Sequence, residues 1–289
     1  MFKLQRSAIA NATILLSLAL GGCTTDSTPG TGAPGPATGV MPTDPATKMF
    51  TVTIENVSQP NTVQTGRAMG TVPLSHGVYA VFSGSDPLFT AGAKSDLGTE
   101  RIAEDGNTDA KAETARSASG VKASGVFEHV PGELGQALGA GTMASFTVTA
   151  SPGERLQLET MFVQSNDWFY AFDGGGLALF DGDLPVAGDV TSKLRLYDAG
   201  TEMDTAPGTG EFQKPAQEAT ALDVGPAESE TIKLASERHP SFMIPKAASV
   251  IRITVTPRPQ GRQGTKAAAA TCGNGALTPS ALLAPRVAR

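Results

Sequence analysis

The stretch FTVTIENV, residues 50–57, predicts a β-strand with one buried face. Phe50, Val52 and Ile54 alternate with polar residues, and successive side chains of a strand point to opposite faces. SFTVTA (145–150) and VIRITVTP (250–257) repeat this pattern. Because the first and the last of these segments are both suited to a buried sheet, we expect one closed domain over residues 48–257.

Further strands are expected in the middle of the chain, at VYAVF, ERLQLETMFV, WFYAF and KLRLY (residues 78–82, 154–163, 168–172 and 193–197). The charges around Ile102 and Ala103 allow a short helix from about Thr99 to Glu104, but no long amphipathic period appears. With 33 Gly and 20 Pro the chain is rich in turns. Short strands separated by turns are typical of antiparallel β-sandwiches, so we predict an all-β fold.

Residues 1–22 predict a lipoprotein signal peptide. Lys3 and Arg6 precede an apolar run that is too short for a membrane span. LGGC, residues 20–23, matches the bacterial lipobox, which implies cleavage before Cys23 and acylation of its thiol. Thr24 stands where an Asp often retains a lipoprotein in the inner membrane, so an exported protein anchored to the outer membrane is favoured. The alternative is an ordinary secretory signal followed by a stray cysteine.

Two tails are predicted to be flexible. Residues 23–47 contain few large apolar side chains and would form a tether between the anchor and the domain. Residues 258–289 form a low-complexity basic tail, for which a solvated state is favoured over contact with anionic lipid or polysaccharide. If Cys23 carries lipid, Cys272 has no partner for an intramolecular disulfide.

Several functions are disfavoured by the sequence. A net charge of −6 argues against nucleic acid, which requires clustered basic residues. The motifs GxSxG, HExxH and GxxxxGK[ST] do not occur. His76, expected in a turn, His129 and His239 are far apart, and His239 precedes a proline as loop residues often do. We therefore expect no nucleophile and base, and no enzyme.

Acidic residues are expected at the ends of two central strands. Asp167 precedes one strand, and Asp198, Glu202 and Asp204 follow the next. Hard cations such as Ca2+ take several oxygen ligands from loops, and such acids could supply them. The spacing alone leaves the question open, because acids at these positions also cap turns and solvate loops.

NDWFYAF (166–172) followed by YDAGTE (197–202) resembles the spondin N-terminal domain family, which carries an Asp-aromatic segment and then an aromatic-DAGT-acid segment. Four other segments resemble the bacterial branch of that family: FTVTIENVS, PLSHGVYAVF, GTERIAEDGN and VIRITVTP. The resemblance spans about residues 48–257.

The resemblance implies a C2-like β-sandwich with a Ca2+ site at one end. The family's ligand positions fall on Asp167, Asp198 and Glu202, where the last is Asp in the animal domains. Gly200 would let backbone carbonyls turn toward the ion, and Trp168 would fill the core beneath it.

Three functions follow from this reasoning. The favoured one is a calcium-binding surface lipoprotein that acts as an adhesion or ligand-binding module for a glycan, lipid or protein. The second is a structural envelope protein in which the ion only stabilises the fold. Exposure of Phe169 or Tyr170 beside the ion would favour the first. The third is a metal-dependent hydrolase with Asp204 or Asp173 as base. It is the least favoured, because no histidine is expected beside these acids.

Overall fold

The computed structural model describes residues 47–129, 136–217 and 221–259. The strands are Lys48–Asn56 (β1), Leu74–Phe82 (β2), Val121–Phe127 (β3), Met143–Ala150 (β4), Arg155–Phe162 (β5), Trp168–Phe172 (β6), Leu177–Ala178 (β7), Phe180–Asp181 (β8), Leu184–Pro185 (β9), Gly188–Asp189 (β10), Leu194–Asp198 (β11), Lys233–Leu234 (β12) and Ile251–Pro257 (β13). The helices are Leu97–Asp105 (α1), Asp109–Ser117 (α2) and Ala235–Arg238 (α3). Short 3-10 segments are Arg67–Gly70, Thr191–Lys193, Lys214–Ala216 and Ala247–Ser249.

The strands form two main sheets, and every strand pair in the described residues is antiparallel. One sheet has the order β10-β13-β1-β4, and the other β12-β11-β6-β5-β2-β3, with β7 paired to β5. β8 and β9 form a separate hairpin. β1 lies between β13 and β4, so that Ile54 faces Ile253 on one side and Ala144 on the other. The first and last strands therefore close the domain.

The main core lies between these two sheets. Phe50, Val52 and Ile54 of β1 are fully buried and pack in one cluster with Trp168 and Tyr170 of β6. The alternating pattern of β1 thus directs its apolar side chains into the layer that both sheets share. The prediction of an all-β antiparallel sandwich is confirmed.

Helices α1 and α2 cover the outer face of the larger sheet. Ile102 of α1 and Ala115 of α2 are buried against Val78 and Ala80 of β2. The short helix expected near Thr99 is confirmed and is longer than predicted. Helix α2 was not predicted, because only Lys111 and Ala115 of that helix are buried and the apolar period is weak.

Both faces of β6 are therefore covered. Tyr170 points into the main core, whereas Phe169 packs with Ala103 and Tyr197 in a second cluster beneath α1. Phe169 and Tyr170 are each fully buried, so neither supplies the exposed aromatic side chain that would favour a ligand-binding role. The expected turn at His76 is wrong, because His76 lies within β2, where an irregular register between Leu74 and Gly77 breaks the alternation.

Several predictions concern parts of the chain outside the described residues. These are the signal peptide (1–22), the lipidation of Cys23, the tether up to residue 46, Cys272 and the basic tail from residue 260. Within the described part of the chain, helices are too short and too polar for any to cross a bilayer.

Candidate metal centre

Asp167 lies in a buried loop between β5 and β6. Gln164, Ser165, Asn166 and Asp167 are all at most 1% exposed. The loop is held by its own side chains: the Ser165 hydroxyl donates to the Phe162 carbonyl (2.6 Å) and accepts from the Trp168 N–H (3.1 Å). Because these hydrogen bonds replace water, the polar loop is stable in the interior, and the Asp167 carboxylate is held in a fixed position.

The DAGT segment folds directly against Asp167. The backbone N–H groups of Thr201 and Glu202 donate to Asp167 Oδ2 (2.7 and 3.1 Å), and Asp198 Oδ1 accepts from the Gly200 N–H (2.8 Å). Gly200 has a φ of 71°, and a Cβ there would lie 2.9 Å from the carbonyl carbon of Glu230. The Gly200 carbonyl accepts from the Glu230 N–H (2.9 Å). The glycine therefore permits this close approach. The expected turning of backbone carbonyls toward an ion stays a prediction.

Asp167 and Asp198 lie in one group with Glu228. One ligand atom from each of these residues lies within 4.8 Å of the other two, and both aspartates are fully buried. Among the described residues, Asp167 Oδ1 and Glu228 Oε1 have no hydrogen-bond partner. Calcium–oxygen distances are about 2.3–2.6 Å, so ligand oxygens on opposite sides of one ion lie up to about 5 Å apart. The donor atoms and their spacing fit a hard divalent cation.

Glu202 does not belong to this group of three. Its Oε1 accepts from Asn166 Nδ2 (2.9 Å), and Asn166 is itself fixed because its Oδ1 accepts from the Thr205 N–H (3.1 Å). Its carboxylate is in none of the acidic groups found among the described residues, whereas that of Glu228 is close to Asp167 and Asp198. Metal ligation by Glu202 stays a prediction, and Glu228 is better placed for that role.

A second group joins Asp198 and Asp204 to His239. The imidazole Nε2 lies 2.9 Å from Asp198 Oδ2 and 2.7 Å from Asp204 Oδ2. Trp168, fully buried as expected, donates from Nε1 to Asp204 Oδ2 (2.9 Å). The expectation that no histidine accompanies Asp204 is wrong, because the fold brings His239 to it from a distant part of the chain.

Arg238 partly balances this negative charge. Its Nε lies 3.0 Å from Asp198 Oδ1, without the direction of a hydrogen bond, and its Nη1 lies 4.0 Å from Glu228 Oε1. Arg238 thus contacts Asp198 and Glu228. Among the described residues, Asp167 and Asp204 form no ion pair with it, so carboxylates outnumber arginines in the cluster. A bound cation would reduce the mutual repulsion of these carboxylates.

Strand pairing brings Arg238 and His239 to the cluster. Asp198 at the end of β11 pairs with Lys233 of β12, and the single turn of α3 follows β12 at once. No local signal in the sequence marks Glu228, Arg238 or His239 as site residues, because their only distinguishing property is this long-range pairing.

Burial and neighbouring negative charge raise the pKa of two carboxyl groups in the cluster. Burial, and then the charge of Asp198, raises the pKa of Asp167 well above its ordinary range. Burial, and then the charges of Asp167 and Asp198, does the same for the pKa of Asp204. Both shifts disfavour the charged carboxylates, and a bound cation would compete with protons for them.

In the metal-free protein, the free energy of unfolding is expected to fall as the pH rises from about 5 to about 8. Burial raises the pKa of Glu104 and of Glu159 from 4.5 to about 7. Between these two values the folded chain holds protons that the unfolded chain has released, so stability decreases with rising pH. The pKa of His76, lowered by burial, acts in the opposite direction, but the buried carboxyl groups outnumber it.

Melting temperatures in EDTA at pH 5, 6, 7 and 8 would measure this dependence. Glu159→Gln should weaken it, whereas Glu211→Gln, at an exposed position, should leave it unchanged. A melting temperature that rises over this range would contradict the prediction.

No protein-family model matches the chain, and no curated protein is significantly similar to it. The fold and the site together define an all-β domain with a buried cluster of carboxylates and one imidazole at the ends of its central strands.

Proposed function

We propose that the protein is a calcium-binding, non-enzymatic lipoprotein of the cell envelope that acts as an adhesion or ligand-binding module. The observation that carries this proposal is the Asp167 carboxylate, which is fully buried and close to Asp198 and Glu228, with an oxygen that has no partner in the described part of the chain. A buried carboxylate in this position is costly unless a cation is bound.

Calcium is the cation that the donor set supports best. The ligands are carboxylate oxygens, and Ca2+ accepts six to eight oxygens in irregular geometry, including bidentate carboxylates and water. Mg2+ requires a stricter octahedron and shorter distances. Loops of different chain segments supply Asp167 and Glu228, and such an arrangement suits the larger ion.

The resemblance to the spondin N-terminal domain supports the same proposal. Two of the ligand positions that it implies, Asp167 and Asp198, are neighbours in the fold, although Asp167 precedes β6 and Asp198 ends β11. A C2-like arrangement would place the calcium site and the binding surface at one end of the sandwich. In that arrangement Glu228 takes the third ligand position in place of Glu202.

A binding surface beside the site is supported by two exposed methionines. Met203 is 56% exposed and lies between Glu202 and Asp204, and Met243 is 74% exposed and follows Phe242, which stacks on His239. Contiguous exposed apolar surface marks interaction sites, and these two side chains would contribute to such a surface. The lipobox ending at Cys23, followed by Thr24, supports an anchor in the outer membrane.

Calcium binding is tested by melting the purified protein in EDTA and then with excess Ca2+ or Mg2+. An ion at 100 times its Kd stabilises the folded state by about 2.7 kcal/mol, so we expect a clear upward shift with Ca2+ and a small one with Mg2+. The absence of a shift with either ion would contradict the proposal. If Ca2+ shifts the melting temperature but glycan, lipid and protein arrays show no Ca2+-dependent binding, the ion has a structural role only.

A further inference from the structure

We propose that Asp198, Asp204 and His239 form a second metal site, which takes a borderline transition-metal ion of the Zn2+ type. The ligand atoms of these three residues lie within 4.8 Å of one another. The second site shares Asp198 with the calcium site, but it does not require that site to hold an ion. Its ligand set differs in chemistry, because it includes an imidazole nitrogen.

Two carboxylate oxygens already lie close to the imidazole nitrogen. His239 Nε2 lies 2.9 Å from Asp198 Oδ2 and 2.7 Å from Asp204 Oδ2. Zinc–nitrogen and zinc–oxygen distances are about 2.0–2.1 Å, which places the ligand atoms of a tetrahedral site about 3.3 Å apart. Each present distance would therefore lengthen by only about half an ångström, which a small side-chain rotation provides.

Asp204 supplies an independent observation that points to a ligand. Its side chain is 1% exposed, and its Oδ1 has no hydrogen-bond partner within the part of the chain that the structure describes. A neutral histidine has at most one N–H at Nε2, so it cannot donate fully to two carboxylates at once. A metal ion at this point would satisfy both carboxylates and the imidazole together.

The surroundings hold the ligands in place. The His239 ring stacks on Phe242, with ring centres 4.7 Å apart and an angle of 8°, and also stacks on Trp168 at 5.7 Å. Trp168 Nε1 donates to Asp204 Oδ2 (2.9 Å), and the Gly200 N–H donates to Asp198 Oδ1 (2.8 Å). Hydrogen bonds of this kind orient metal-binding carboxylates.

The choice of ion follows from the donors. Imidazole favours Zn2+, Cu2+, Ni2+ and Fe2+ over Ca2+ and Mg2+, which prefer oxygen ligands. Three protein ligands leave one tetrahedral position for water, and the His239 side chain is 18% exposed, so the site can be reached from solvent.

Zinc binding to the purified protein, with free thiols alkylated so that Cys23 and Cys272 cannot bind the metal, would test the proposal. We expect one Zn2+ per chain, and a loss of affinity of at least about 100-fold in His239→Gln and in Asp204→Asn. His129→Gln is the matched control, because His129 is far from the cluster in the chain and contacts the Met143 carbonyl. Co2+ should give a tetrahedral visible spectrum that is lost in His239→Gln.

Failure of this proposal is distinguishable from failure of calcium binding. Zinc binding that is absent, or unchanged in both His239→Gln and Asp204→Asn, would overturn the second site. Zinc binding that depends on His239, in a protein whose melting temperature does not respond to Ca2+, would support the second site and contradict the first. In His239→Gln, a preserved calcium shift shows that the variant is folded.

Discussion

Replacing Lys111 by Met is expected to lower the free energy of unfolding by about 3–5 kcal/mol, the usual effect of removing one partner from a buried ion pair. Lys111 lies on α2 and is fully buried. Its Nζ donates to the Leu88 carbonyl (2.6 Å) and to Asp96 Oδ1 (2.7 Å), and lies 3.9 Å from Glu159 Oε1. The substitution leaves Glu159 without a positive charge in the interior.

The size of the loss should depend on pH. Burial raises the pKa of Glu159 to about 7, and the charge of Lys111 lowers it from what burial alone would give. Without Lys111 the pKa of Glu159 rises further. At pH 5 Glu159 is mostly protonated with or without Lys111, whereas at pH 8 its ionisation in the folded state costs more free energy in the variant. Lys111→Met should therefore destabilise the protein more at pH 8 than at pH 5.

Urea unfolding, followed by the fluorescence of Trp168, would measure both effects. Lys122→Met is the matched control, since Lys122 is exposed on β3 and its replacement should change the free energy by less than about 0.5 kcal/mol. The double variant Lys111→Met, Glu159→Gln should recover part of the loss, because both charges are then absent. Equal stability of Lys111→Met and the wild type would contradict the buried pairing.

Asp167→Asn is expected to have opposite effects with and without calcium. In Ca2+ at 100 times the wild-type Kd, the variant should lose most of the roughly 2.7 kcal/mol that ion binding provides. In EDTA at pH 8 it should be at least as stable as the wild type. The amide removes a charge that is disfavoured by burial and by Asp198, and its oxygen can still accept from the N–H groups of Thr201 and Glu202.

Melting curves of the two proteins in EDTA and in Ca2+ would separate these effects. Asp183→Asn, at an exposed turn position, is the matched control and should behave as the wild type in both conditions. An Asp167→Asn variant that keeps the full calcium shift would contradict the role of Asp167 as a ligand. A variant that is strongly destabilised in EDTA would show that Asp167 serves the fold as a carboxylate.

The strand pattern was predictable because it depends on local periodicity. Residues 50–57, 145–150 and 250–257 alternate between apolar and polar residues, and each forms a strand of the smaller sheet. The pairing of Asp198 with Trp168 across β11 and β6 then places Asp198 next to Asp167. The adjacency of these two acids follows from strand ends that the sequence already indicated, whereas the family resemblance itself stays a prediction.

The remaining members of the site depend on contacts between distant segments. Arg238 and His239 reach Asp198 through the pairing of β12 with β11, and Glu228 is placed by its backbone N–H bond to the Thr201 carbonyl. No local pattern encodes either contact. Phe169 is buried because α1 covers β6. Lys111 of α2 is also buried, although lysine side chains are normally exposed.

The sequence by itself determined the all-β class, the approximate strands and two acids at neighbouring strand ends, because a period of two and a polar strand end are local properties. Only the tertiary structure decided which acids are buried, which basic side chains lie beside them, and which of their oxygens have no hydrogen-bond partner. Burial and ionisation depend on every atom around a group, and those atoms come from segments far apart in the chain.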